Sequence, residues 1–258
     1  MCKKQSEEKL QINDVEDIKC FARKNCRIEP SRVYVEHIEA CGKEKEQGKP
    51  MEVIYGYMAK IKFSITDANM ILDAIERGDE IQRQDVVFLV VALSWIQDCY
   101  ERIERCLKQE LKPEYTEEFE KSKRFLKAIR SFLVAHPMGT DRHEKLGLDG
   151  DLNCADIRPE NSRNYIKERF SIGYFSLEEN GLSEIQEDNQ RVQEKIHQII
   201  SQEKVFYVRV YSQKYDKEKS DKYIIFPYRD LCIAANMYIQ QIHVIDKAIK
   251  KAARKRQI

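Results

Sequence analysis

A chain of 258 residues with 34% charged residues and only nine glycines has the composition of a helical protein with a sizeable core, not of a sandwich or a disordered tail. Its formal net charge of +1 supplies no global drive toward nucleic acid or membrane, so any such binding must come from a local patch. Eight cysteines without a CxxC pair, behind a polar start that lacks a signal peptide, point to a reducing cytoplasm and buried thiols.

The first fifty residues read as two polar helices. One covers roughly Glu7 to Lys24; the other follows Pro30, with Ser31 as N-cap, and ends near Gly42. Ile54, Tyr57, Met58, Ile61 and Ile65 keep helical spacing. Ser64 or Thr66 then caps a short helix that Gly78 stops. Asp85 to Lys108 is the central helix, striped by Leu89, Ala92, Ile96, Cys99, Ile103 and Cys106. Its first half is apolar on nearly every face, which calls for surrounding helices. Its second half carries Asp98, Glu101, Arg102, Glu104 and Arg105 and should emerge from the core. The longest apolar run, Val86 to Leu93, falls far short of the ~20 residues that span a bilayer, so no membrane partner is expected.

Thr116 caps the next helix, which is expected to run to His136, where Pro137 disfavours further helical geometry. A loop over 137–162 follows, rich in Gly, Asp and Asn; loops of that length are usually functional or disordered. Helical stretches are expected near Asn164 to Ser176 and from Ser183 to Gln202. Val205 to Tyr211 and Tyr223 to Phe226, rich in aromatic and β-branched residues around a charged turn, form a β-hairpin. The last helix starts after Pro227 with a seam of Leu231, Ala235, Tyr238, Ile242, Ile245, Ile249 and Ala252. It ends in a basic tail, Lys247 to Arg256, whose cations suit the C-terminal end of a helix dipole and could instead contact RNA phosphates. The expected fold is mainly α, a multi-helix bundle with a small β-hairpin in the C-terminal third. It reads as one domain over 1–258, with a subdivision into a helical bundle (1–137) and helices plus hairpin (160–258) as the alternative.

Chemistry concentrates where the helix of Thr116 ends. Arg130 and His136 bracket the apolar stripe of Ser122, Leu126, Ile129 and Leu133 when the wheel advances by ~100° per residue. At a helix end both heads could converge on one groove. Ser131, Thr140, Arg142 and His143 could complete an anion site there, and Glu101, Glu104 or another carboxylate could instead pair with Arg130. An Arg followed by a His after four to six intervening residues occurs three times in the chain, at Arg32 and His37, Arg130 and His136, and Arg191 and His197. Spacing alone therefore selects nothing, and only the middle pair borders an apolar seam at a helix end. The acids at Asp141, Asp149, Asp151 and Asp156 match no calcium loop, no spacing of Cys and His argues for a zinc site, and no cofactor motif is found, so neither metal nor cofactor is expected.

Arg130 and His136 on a helix end, with the helices from Asp85 to His136, resemble the HEPN superfamily of small helical domains, many of which are metal-independent ribonucleases. The residue after the Arg, often Asn in that family, is here Ser131. The block Arg130 to Arg142 is also similar to segments of bacterial proteins without assigned function. The resemblance implies that His136 acts as general base or acid on a ribose 2′-OH or the leaving oxygen. It implies that Arg130 stabilises phosphorane charge, that the products carry cyclic phosphate and 5′-OH ends, and that the protein is a homodimer. The competing expectation is a non-enzymatic helical scaffold that binds a protein partner.

Overall fold

The computed structural model describes residues 18, 26–28, 38, 51–107, 115–135, 152–159, 173–177, 181–184, 194, 198, 201, 203–212 and 222–256. Helix α1 (Met51–Arg77) is continuous where the sequence suggested a break. The Ser64 and Thr66 hydroxyls do not cap a new helix. They donate back to the Lys60 and Lys62 carbonyls, at 2.8 and 3.1 Å, an i−4 bond that keeps such residues inside a helix. Gly78, at φ +78°, ends α1 as expected. Its N–H donates to the Ile75 carbonyl and the Asp79 N–H to that of Ala74, the paired closing bonds of a glycine-terminated helix. The Lys204 ammonium covers the Ile75 and Glu76 carbonyls, adding a cation at the negative end.

Helix α2 (Arg83–Leu107) follows after a short turn. The Asp85 carboxylate accepts the Gln82 N–H at 2.8 Å, a reciprocal cap at the first turn. Helix α3 (Glu117–Arg130) starts where the Thr116 Oγ accepts the Phe119 N–H at 3.2 Å. It does not continue as a regular helix to His136. From Ser131 to Ala135 the chain winds as a π-helix. Inside that turn Phe132 is fully buried and meets the rings of Phe175 and Phe226 at 5.6 and 6.1 Å. Burying a phenyl ring is worth about 1.5–3 kcal/mol, which offsets a winding that helices rarely adopt.

The expected hairpin is present as β4 (Val205–Ser212) and β5 (Lys222–Pro227), but it is the centre of a larger sheet. With β1 (Leu152–Pro159), β2 (Gly173–Ser176) and β3 (Gly181–Glu184), the strand order is β1-β4-β5-β2-β3. All neighbours are antiparallel except β2 and β5, which run parallel through Gly173 with Ile224 and Tyr174 with Ile225. Three sequence expectations are corrected here. β1 lies within the expected loop 137–162, β2 within the expected helix near Asn164 to Ser176, and β3 runs into the start of the expected helix from Ser183. Glu194, Gln198 and Ser201 are helical, as that last expectation requires. β1 pairs Leu152 with Ser212 and β2 pairs Gly173 with Ile224, each across a long stretch of chain, and such ladders leave no local period to read. Among the described residues β3 pairs only with β2, and both strands are four residues long.

One face of the sheet, with Phe206, Val208, Val210, Ile224 and Phe226, joins the helical core. Rings run continuously from it into α3: Phe206 stacks on Phe226 at 5.1 Å, Phe226 meets Phe175 at 5.7 Å, and Phe175 stacks on Phe125 at 5.5 Å. Helix α4 (Tyr228–Arg256) leaves β5 directly and buries Leu231, Ala235, Tyr238, Ile242, Ile245 and Ile249, the seam legible in the sequence. Tyr238 meets Tyr100 of α2 at 5.3 Å and Phe119 of α3 at 4.9 Å, which locks the three helices together. The protein is mainly α with a sheet in its C-terminal part. Among the described residues no helix is long and apolar enough to cross a membrane.

Candidate functional site

Arg130 closes α3 at the point where the winding changes, and it is committed to a partner on α2. Its Nη1 donates to both oxygens of Asp98, each at 2.9 Å. One turn earlier, Lys127 lies 3.0 Å from Glu101. Each step of three residues up α2 thus meets a step of three down α3, an antiparallel ladder of opposite charges. The sequence carries this signal in the acids at 98, 101 and 104 and the bases at 124, 127 and 130. It is readable only once α2 and α3 are known to be antiparallel neighbours. The partner proves to be Asp98, one rung before the Glu101 considered from sequence.

The ladder is half in solvent. The Arg130 and Asp98 side chains are 39% and 42% exposed, and exposed pairs are worth about 0.2–1 kcal/mol. Only Nη1 is spent on Asp98; Nε and Nη2 are engaged by no described residue. Burial by itself would raise the Glu101 carboxyl. The hydrogen bond and charge of Lys127, joined by the Gln97 amide at 3.4 Å, bring it below the usual carboxylate range.

Beneath the ladder the interior is polar in an unusual way. The Gln97 Oε1, the Tyr238 hydroxyl and the Ser131 Oγ are all buried without a hydrogen-bond partner among the described residues. Burial pushes the phenols of Tyr100 and Tyr238 far up, so both stay neutral at any ordinary pH. Ser131 itself is buried, and its N–H closes α3 on the Lys127 and Ala128 carbonyls. Its hydroxyl is therefore not presented to solvent beside Arg130.

Of the residues expected to form the site, Arg130 and Ser131 are adjacent at the junction between α-helical and π-helical winding. His136, Thr140, Arg142 and His143 lie outside the described residues. A π turn advances fewer degrees per residue than an α turn, because its bonds reach five residues back. The wheel that placed His136 at the far edge of the stripe therefore does not extend past Arg130. Among the described residues no group of His, Cys, Asp and Glu could hold a metal ion.

A second surface was not anticipated. The sequence asked for α2 to be surrounded, yet Phe88 is exposed and Val91 and Trp95 are half-buried. Lys60 of α1 lies over the Trp95 ring at 3.3 Å, so this side of α2 adjoins α1. On α1, Phe63 and Met70 are 66% and 63% exposed. They stand in a stripe with Gly56, Ala59, Thr66 and Ala74, at the three-and-four spacing of a helix-packing seam. A Cβ at Gly56 would meet only open space. Comparison with protein-family models, with curated proteins and with solved structures finds no match.

Proposed function

We propose that the end of α3 and the π turn after it form the phosphate-recognising part of a HEPN-like, metal-independent ribonuclease. The observation that carries the reading is the state of Arg130. Asp98 fixes its guanidinium through one nitrogen, and the remaining donors stand half-exposed at the α-to-π junction that leads to His136. A guanidinium held in place by a carboxylate meets a phosphate without first losing rotamer freedom. π turns occur frequently at functional sites, which adds to the case.

In this reading His136 takes the ribose 2′-OH proton or supplies one to the leaving 5′ oxygen. Arg130 neutralises the charge that builds on the phosphoryl oxygens, and Asp98 acts as a positioning residue through Arg130. A histidine titrates near neutrality and suits either proton transfer. The products are a cyclic phosphate and a 5′-OH. The purified 258-residue chain should cleave single-stranded RNA in EDTA, and His136→Ala and Arg130→Ala should each lower the rate by about 10²-fold or more. Wild-type-like cleavage by either folded variant removes the assignment.

A second reading, a non-enzymatic helical module, is favoured by the exposed seam on α1. Phe63 and Met70 together present more apolar surface than an isolated exposed side chain needs to. The occupant that fits is an amphipathic helix of a partner protein, whose apolar face would cover Phe63, Met70 and Phe88. Inactivity of the wild-type chain on RNA, with loss of partner binding in Phe63→Ser/Met70→Ser, would select this reading over the first.

A further inference from the structure

We infer that Cys26 and Cys232 form an oxidation site, a thiol pair set to close into a disulfide between positions 206 residues apart in the chain. It stands apart from the Arg130 site and does not depend on the ribonuclease reading. The two Sγ atoms are 3.8 Å apart. Cys232 is completely buried in the second turn of α4, and Cys26 is only partly buried, so oxidant reaches the pair from the Cys26 side.

What distinguishes the pair from two thiols that happen to touch is how Cys26 is held. It sits at φ +43°, in the left-handed region that a side chain disfavours. The segment that follows it is clamped on two sides. Asn69 of α1, itself buried, accepts the Ile28 N–H at 2.9 Å and donates to the Ile28 carbonyl at 2.7 Å. Asn236 of α4 donates to the Arg27 carbonyl at 2.9 Å and to the Cys232 carbonyl at 2.8 Å. The same amide thus ties the backbone beside one cysteine to the backbone of the other. Little chain entropy remains to be lost when the sulfurs join, which is the usual obstacle to a bridge between distant residues.

The order of events follows from burial. Desolvation, reinforced by Cys26, holds the Cys232 thiol well above its ordinary range, so it is a poor first nucleophile. The Cys26 sulfur attacks a peroxide; the O–O bond breaks, Cys26 becomes a sulfenic acid, and water or an alcohol leaves. The Cys232 sulfur then attacks the Cys26 sulfur, the S–O bond breaks, and the leaving hydroxyl takes the Cys232 proton as water. Two thiols lose two electrons and two protons in all, and the peroxide is reduced. The product staples the 26–28 segment to α4.

The test uses the 258-residue chain with equimolar hydrogen peroxide. Non-reducing tryptic digestion should yield peptide 25–27 linked to peptide 230–247, two hydrogens lighter than the sum of the two, and dithiothreitol should separate them. The melting temperature should rise by roughly 5–10 °C on oxidation, and Cys26→Ser should abolish the rise. Recovery of Cys26 and Cys232 as free thiols while other cysteines oxidise would overturn the inference, as would a bridge from Cys26 to any other cysteine. Mapping of the wild-type chain decides between these outcomes even where a Cys232 variant fails to fold.

Discussion

Truncating Arg130 separates a strut from a catalytic group because the two roles predict effects of different size. The ion pair to Asp98 is about two-fifths exposed on both sides, so its loss costs about 0.2–1 kcal/mol. Domains of ordinary stability hold about 5–15 kcal/mol. After such a loss the folded fraction still exceeds about 99%. If Arg130 is only the last rung of the ladder, Arg130→Ala must leave RNA cleavage unchanged within the error of the assay. If it contacts the phosphoryl oxygens, the rate falls by about 10²-fold or more while the urea midpoint barely moves. Both quantities are measured on one preparation, cleavage of a fluorescently end-labelled single strand in EDTA and urea unfolding by circular dichroism. A stability cycle with Asp98→Asn should return a coupling below about 1 kcal/mol that shrinks as salt rises. Cleavage by a folded Arg130→Ala protein at half the wild-type rate or more refutes the catalytic assignment and leaves the strut.

Three further outcomes follow from the packing. Asn69→Ala strips partners from a buried N–H and a buried carbonyl of Ile28, and at about 1–3 kcal/mol per orphaned group should lower stability by about 2–5 kcal/mol in urea; a change below about 0.5 kcal/mol would show that water replaces both bonds. Phe132→Ala empties the ring site between Phe175 and Phe226 and should cost about 3–5 kcal/mol, with a near-neutral result meaning that the π turn relaxes to α winding and refills the gap. The Glu101 carboxyl is lowered in the folded state, so its contribution is complete above the ordinary carboxylate value and is lost as pH falls through the folded one. Lys127→Met should therefore flatten the acid side of the stability profile, and an unchanged profile below pH ~4.5 would remove that rung from the account.

Elements with a strong local period were legible in the sequence. The Thr116 cap, the Gly78 stop, the apolar stripe of α2 from Leu89 to Ile103, the β4–β5 hairpin and the seam of α4 are each written in spacing and in residues with special backbone needs, whereas Cys106, read as the last member of the α2 stripe, is exposed. Local reading failed where a distant partner set the conformation. β1 and β2 exist because their backbones find ladder partners far along the chain, on β4 and β5. Among the described residues β3 pairs only with β2, across a short stretch of chain, in strands of four residues that show too little period to read. The continuity of α1 through Ser64 and Thr66 is a similar case, since the same hydroxyls can cap a helix or bond back within one.

The candidate site divides along the same line. The sequence alone marked an Arg at the end of an apolar stripe, with a His and a Pro six and seven residues on, as the place to look for chemistry. Only the tertiary structure decided that Asp98 holds the Arg, that the winding changes at Ser131 because Phe132 is drawn onto the sheet, and that Cys26 touches Cys232. These are contacts between residues brought together by packing, where burial and opposing charge choose the partner and no spacing along the chain records the choice.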